Sequence, residues 1–136
     1  SGGPGASATH FGQIPPRVPG IDVAHALRLL GDDRDLFVRL LRNFVLEFST
    51  AGKEVRKCLD SGDRSRAADR LHALGGAAGY VGARELAQAT AALEVSVLED
   101  RPDVASGIAA IESLLAAVLE GAHSLVRGEE DERALC

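Results

Sequence analysis

The sequence predicts an all-α protein, an antiparallel up-down four-helix bundle with a short additional N-terminal helix. Apolar residues recur at every third or fourth position in five segments, the spacing that gives a helix one apolar face. Aromatic residues make up only 4% of the 136 residues, which argues against a β-sandwich or a barrel. Because short connections separate the long segments, neighbouring helices are expected to be antiparallel. The length fits one domain.

The N-terminal part combines an irregular segment with two predicted helices. Residues 1–20 are rich in Gly, Pro and Ser and lack periodicity, so they are interpreted as a flexible linker or an expression scar. A short first helix follows the expected cap Asp22 and ends at a glycine nine residues later. Asp32 or Asp33 begins the second helix, which is predicted to continue to Leu59. Its apolar face consists of Leu36, Phe37, Leu40, Leu41, Phe44, Val45 and Phe48.

Three further helices are predicted in the C-terminal part. The third begins after the expected cap Asp63 and carries His72, and the last follows Pro102, which is tolerated in a first turn. The folded domain is therefore predicted to span residues 21–127, followed by a charged and frayed tail over residues 128–136. The fourth helix places Leu86, Thr90, Leu93 and Val97 on its apolar face.

Charge and composition exclude several classes of function. The net charge of −5, with scattered cations, disfavours nucleic acid or an anionic membrane as the main partner. The first twenty residues lack the apolar core of a signal peptide. The segment IAAIESLLAAVLEGA is interrupted by Glu112 and Glu120 and is too short to cross a bilayer. Cys58 and Cys136 form no metal or redox motif, so we expect a reducing compartment and a cytoplasmic protein. We also expect a monomer without membrane contact.

The third helix carries His72 on an almost bare strip. Its sequence RLHALGGAAGYVGA, residues 70–83, holds several glycines, although each glycine inside a helix costs about 1 kcal/mol relative to alanine. On a helical wheel the histidine lies on the flank of the apolar stripe. Absent side chains allow another protein surface to approach the imidazole, as a nucleophile requires when its substrate is carried on a second domain. The neighbours along this strip are Ala68, Gly75, Gly76 and Gly79, of which Gly75 lies nearest to the core.

The segment HALGGAAGYVGA, residues 72–83, resembles the signature of the histidine-containing phosphotransfer (HPt) domain. That signature has a histidine, any one residue, then Leu-Lys-Gly, several small residues, an apolar residue and Gly-Ala. The similarity continues with Leu86, with the Ala-Leu-Glu of residues 92–94 and with the lead-in PGIDVAHALRLLGDDRDLFVRLLRNF, and it covers roughly residues 19–125. The resemblance implies a four-helix bundle that relays a phosphoryl group between receiver-domain aspartates of response regulators or hybrid sensor histidine kinases.

The resemblance also implies roles for individual residues. His72 occupies the position that accepts the phosphoryl group, and Glu94 a position where the family often has a side chain that orients the ring. Gly75 stands where the family usually has a lysine that steadies the phosphate, and Arg84 is a candidate for the missing cation. The receiver would bring the magnesium ion, so no cofactor or metal is expected in this chain. Partner contacts are expected at Ala68, Gly75, Gly76 and Gly79.

Three interpretations of the function stay open at this point. In the first, the chain is a phosphorelay intermediate that accepts a phosphoryl group on His72 and passes it to another receiver aspartate; it has no ATP-dependent kinase activity, because no Walker-type loop is present. In the second, it is a degenerate bundle that binds receiver or kinase domains without phosphotransfer, since Gly75 replaces the lysine. In the third, it is a dimerisation or scaffold bundle whose histidine is incidental, and Glu94 is an ordinary solvated residue.

Overall fold

The computed structural model describes residues 14–135, and most of that length is helical, in agreement with the predicted all-α class. A short pair of antiparallel strands, which the sequence does not predict, precedes the first described helix. The linker interpretation of residues 1–13 and the thiol of Cys136 lie outside the described residues. In chain order the elements are β1 (Arg17–Val18), β2 (Ile21–Asp22), α1 (Val23–Leu29), α2 (Arg34–Phe48), α3 (Ala51–Asp60), α4 (Arg64–Tyr80), α5 (Arg84–Leu98) and α6 (Val104–Leu135).

Strands β1 and β2 correct the predicted extent of the linker, because residues 17–20 belong to the folded part. Gly20 makes the turn between the strands with a φ of +72°, and a β-carbon there would lie 2.8 Å from the backbone nitrogen of Val118 on α6. Gly121, one turn further along α6, contacts the Pro19 carbonyl oxygen so closely that no side chain fits. The hairpin is thus seated directly on the backbone of α6, a contact that glycine permits and that periodicity does not reveal.

The predicted helix caps are confirmed. The carboxylate of Asp22 accepts a hydrogen bond of 3.1 Å from the backbone N–H of His25 at the start of α1. Asp33 caps α2 and Asp63 caps α4 in the same way, each through a bond of 3.0 Å to the third residue beyond it. These side chains satisfy N–H groups that lack partners inside the helix, which explains where each helix begins.

The single helix predicted between Asp33 and Leu59 is wrong, because the structure divides it into α2 and α3 at residues 49–50. Thr50 has φ −111° and ψ 18°, outside the helical region. Serine and threonine are poor helix formers because their hydroxyls compete for backbone hydrogen bonds. After the break, Gly52 lies against Glu112 of α6, where a β-carbon would meet the glutamate side chain at 2.8 Å.

The long helices enclose one hydrophobic core. Helix α4 packs most extensively on α5, and it also contacts α3; helix α6 packs against α5, α2 and α3. Phe44 and Phe48 of α2 stack with their ring centroids 5.4 Å apart. The largest fully buried side chains are Phe37, Phe44, Leu41, Leu71, Leu74, Leu86, Val23, Val81, Val97, Val118 and Thr90.

Helix α6 continues through the segment that the sequence assigns to a frayed tail. Arg34 lies 3.0 Å from Glu129, and Arg42 lies 3.5 Å from Glu130, so both ion pairs tie the charged end of α6 to α2. By length and composition alone, the stretch Val104–Asp131 is a candidate membrane span. The segment IAAIESLLAAVLEGA within it is too short to be one by itself. Five of the apolar side chains of Val104–Asp131 are core residues: Ile108, Ile111, Leu115, Val118 and Leu125.

Asp22 is expected to make the stability of the fold depend on pH. The N–H of His25, with smaller effects from Arg17 and Arg84, holds the pKa of Asp22 below its usual value. A lowered pKa in the folded state stabilises the protein above the ordinary carboxyl pKa, and the effect is lost as the pH falls through the lowered value. Asp22→Asn should therefore be less stable than wild type at neutral pH, with a difference in urea-unfolding free energy that shrinks below pH about 4. A difference that stays constant into acid would contradict this role.

Candidate functional site

Helix α4 presents His72 on its exposed side. The side facing the core carries Leu71, Leu74 and Ala78, which are almost completely buried. The His72 side chain is 81% exposed. The helix therefore fixes the position of the ring without covering it, and a second macromolecule can reach the ring.

The glycines next to His72 have two different environments. A β-carbon at Gly76 or at Gly79 would meet no atom within 4 Å, so these two residues border open space. A β-carbon at Gly75 would lie 2.6 Å from the hydroxyl oxygen of Thr90 on α5. Gly76 and Gly79 therefore leave the surface beside the ring bare, whereas Gly75 allows α4 and α5 to approach each other closely.

Glu94 on α5 lies beside the His72 ring. Its Oε1 atom is 3.4 Å from Nδ1 of His72, at the long end of hydrogen-bond distances, and the carboxylate is 27% exposed. An ionised carboxylate only accepts hydrogen bonds, so this contact requires a proton on Nδ1. In the neutral ring that tautomer leaves the lone pair on Nε2.

Arg84 is not part of this site, contrary to the expectation that it replaces the family's lysine. Its guanidinium lies 3.7 Å from the carboxylate of Asp22, at the first turn of α5. Glu94 follows ten residues later, about 15 Å further along the helix axis. The position of Arg84 depends on how the β1–β2 hairpin packs, which periodicity does not predict.

Ala68 also differs from the expectation of an exposed partner contact, because it is only 4% exposed and belongs to the hydrophobic core. The wheel places it one turn from His72 correctly, but it does not show that the neighbouring helix covers that side of α4. The buried face of α4 is consequently wider than the sequence predicts.

Arg70, the cation nearest to His72 in the sequence, has other partners. Arg70 donates to the carboxylate of Glu54 and to the carbonyl of Glu47, and its guanidinium stacks 4.7 Å above the Phe48 ring. Among the side chains described, over residues 14–131, no hydrogen bond or ion pair joins an arginine or lysine to His72 or Glu94. No cluster of three or more potential metal ligands occurs in the described residues.

Thr90 is a site residue that the sequence interpretation missed. The sequence predicts Thr90 on the apolar face of its helix, and its side chain is buried, with 1% exposed. Its hydroxyl donates to the carbonyl of Ala87 at 2.8 Å and faces Gly75, one turn from the contact between His72 and Glu94. The spacing of four residues between Thr90 and Glu94 places both on neighbouring turns of one face, but only the register of α4 on α5 shows what they contact.

The exposed ring is suited to chemistry on a group that another macromolecule carries. A broad groove between α3 and α4, lined by Cys58, Arg66 and Ala73 among others, does not include His72. An imidazole on an open, convex surface can act as a nucleophile toward a reactive group brought by a docking partner.

One of three comparisons with known proteins found a match. The family model of the Hpt domain matches residues 39–125, more than half of the 136-residue chain, including α4 and α5. The searches of curated proteins and of solved structures found no match.

Proposed function

Because this chain belongs to the Hpt domain family, whose members take part in phosphorelay histidine phosphotransfer, we propose that it is a phosphorelay intermediate with His72 as its phosphoryl acceptor. It takes the phosphoryl group from the aspartyl phosphate of one receiver domain and passes it to the aspartate of another. The observation that carries this proposal is the 81% exposed ring beside two glycines that border open space.

The proposed step is an in-line transfer to Nε2 of His72. The Nε2 lone pair forms a bond to phosphorus, the bond from phosphorus to the aspartyl oxygen breaks, and the carboxylate leaves with the electron pair. The proton on Nδ1 stays in place, so the phosphorylated ring carries positive charge. Glu94, whose carboxylate lies 3.4 Å from Nδ1, offsets that charge and holds the ring in orientation. Transfer to the next receiver is the reverse reaction with a different carboxylate.

Magnesium and the missing cation are assigned to the partner in this proposal. A receiver that binds magnesium beside its aspartate neutralises charge on the phosphoryl oxygens. Gly75 leaves this chain without the family's lysine, so the docked receiver also supplies any further positive charge. The chain is then a monomeric cytoplasmic partner of receiver domains.

An antiparallel up-down four-helix bundle underlies the proposal, with α2 and α3 counted as one bent helix. In support, His72 lies opposite Glu94 while Gly75 lies opposite Thr90, so α4 and α5 run in opposite directions. Gly52 contacts Glu112 and Arg34 contacts Glu129, so the bent helix and α6 also run in opposite directions.

A second candidate function is receiver binding without phosphotransfer. It is favoured by one observation: no lysine or arginine among the described side chains is bonded to His72 or Glu94. A phosphoryl group on His72 would then rely wholly on the partner for charge neutralisation.

Transfer of a labelled phosphoryl group tests the proposal. Receiver domains carrying a radiolabelled aspartyl phosphate are incubated with this chain and magnesium, and the label on each protein is followed with time. We expect label on this chain that is labile in acid and stable in alkali, as a phosphoramidate is, and its return to a second, unlabelled receiver. Stable complex formation without label supports the binding function instead. Neither label nor binding with any of several receivers would contradict both functions.

A further inference from the structure

Helices α4 and α5 approach each other closely one turn from the His72 ring. The β-carbon position of Gly75 lies 2.6 Å from the Thr90 hydroxyl, which is closer than two non-bonded atoms of this kind are found. Thr90 is buried, and its hydroxyl is held by a 2.8 Å bond to the Ala87 carbonyl. Moving the hydroxyl away from α4 would break that bond. Any side chain at position 75 would therefore displace Thr90 or separate the two helices.

The distance between α4 and α5 at this point also determines the contact between His72 and Glu94. Gly75 follows His72 by three residues, and Thr90 precedes Glu94 by four, so the two contacts lie on adjacent turns of the same interface. The separation of packed helices follows the size of the side chains at their contact. The distance from Nδ1 to Oε1 is already 3.4 Å, so a further increase would remove the hydrogen bond.

We propose that Thr90 is a positioning residue that acts through Gly75: the matched sizes of these two residues set the helix spacing at which Glu94 holds the His72 ring. The consequence for phosphoryl transfer rests on the proposed function, whereas the consequence for the ring itself does not. In this chain Thr90 then leaves no space for a lysine at position 75. A lysine there is accommodated only when residue 90 is made smaller.

The test uses size exchange between the two positions. Gly75→Ala adds the β-carbon that has no space, and Gly75→Ala/Thr90→Ala adds it while removing the obstructing hydroxyl and methyl groups. Gly76→Ala is the matched control for the tautomer measurement, since the same change one residue later meets open space. Glu94→Ala gives the reference for a ring without its partner. Thr90→Val keeps the shape and removes only the hydroxyl bond.

The first measurement is the tautomer of the neutral His72 ring, read from its ring ¹⁵N chemical shifts, which requires no receiver. We expect a majority of the Nδ1–H form in wild type and in Gly76→Ala. Gly75→Ala should shift the ring toward the distribution of Glu94→Ala, and the double variant should shift it back. Thr90→Val should keep the wild-type distribution because the size match is retained.

The second measurement is the rate of phosphoryl transfer, together with the melting temperature. Gly75→Ala should transfer about tenfold more slowly or worse, because a small misplacement of a reacting group is enough for such a loss. Its melting temperature should fall by about 5 °C, while the double variant recovers most of both losses. A simple loss of stability would lower the melting temperature without moving the tautomer.

Two results would overturn the inference: an unchanged tautomer in folded Gly75→Ala, or a double variant whose tautomer does not shift back toward that of wild type. If Gly75→Ala does not fold, Gly75→Ala/Thr90→Ala and Thr90→Val still decide, because the inference requires both to retain the wild-type tautomer. If wild type accepts no phosphoryl group, the proposed function fails, but the tautomer measurement still tests the positioning role.

Discussion

His72→Gln is expected to abolish the acid-labile label on this chain while leaving the helical fold intact. Glutamine has similar length but no nucleophilic ring nitrogen, so no phosphoramidate can form at this position. Because the side chain is 81% exposed, the free energy of unfolding should change by no more than about 0.5 kcal/mol. The measurement is the transferred radioactivity after a fixed time, with circular dichroism as the check on folding.

Two other histidines provide matched controls for this substitution. His25 is half-buried on α1, and His123 is exposed on α6. Among the described residues, the ring of neither histidine is hydrogen-bonded to a carboxylate in the way that the ring of His72 contacts Glu94. His25→Gln and His123→Gln should therefore keep wild-type labelling. If the label persists in His72→Gln and disappears in either control, the acceptor lies on another helix and the proposal is wrong.

Substitutions at Gly76 and Gly79 are expected to keep or raise the stability of the fold, and large side chains there are expected to slow phosphoryl transfer. Both residues lie inside α4 and border open space, so alanine gains the helix propensity that glycine lacks. Gly76→Ala and Gly79→Ala should each stabilise the fold by about 0.5–1 kcal/mol, measured by urea unfolding. Gly76→Leu and Gly79→Leu should fold as well as wild type but place a large side chain where the partner docks.

The leucine variants should transfer the phosphoryl group at least about tenfold more slowly. An extra side chain in a well-packed interface costs about 1–3 kcal/mol, and about 1.4 kcal/mol corresponds to a factor of ten. Gly128→Leu is the matched control, because Gly128 lies on α6 and also borders open space. Undiminished transfer in both α4 leucine variants would mean that the partner does not dock over this strip.

Much of the fold follows from local signals in the sequence. Asp22, Asp33 and Asp63 each combine a capping side chain with a following apolar repeat, and each begins a helix as predicted. The wheel of α4 correctly separates the buried Leu71 and Leu74 from the exposed His72. These features depend on residues within one or two turns of each other, which is the range over which helical periodicity carries information.

The remaining features depend on which elements meet. Pro19 contacts Gly121, and Arg84 contacts Asp22, across distances in sequence that no periodic pattern encodes. The size match between Gly75 and Thr90 requires the register of α5 on α4, although each residue is unremarkable on its own wheel. For the same reason the wheel could place Ala68 near His72 without revealing that it is covered.

The side chains of His72 and Glu94 contact each other although the two residues are 22 positions apart. They lie on consecutive helices joined by the short turn at residues 81–83. Such a helical hairpin has low contact order, so it can form early in folding, before the distant ends of the chain find each other. Neither His72 nor Glu94 has a hydrogen bond or ion pair to α2 or α6 among the described residues. Changes confined to the solvent-facing sides of those two helices, accumulated over generations, would therefore leave the two side chains where they are.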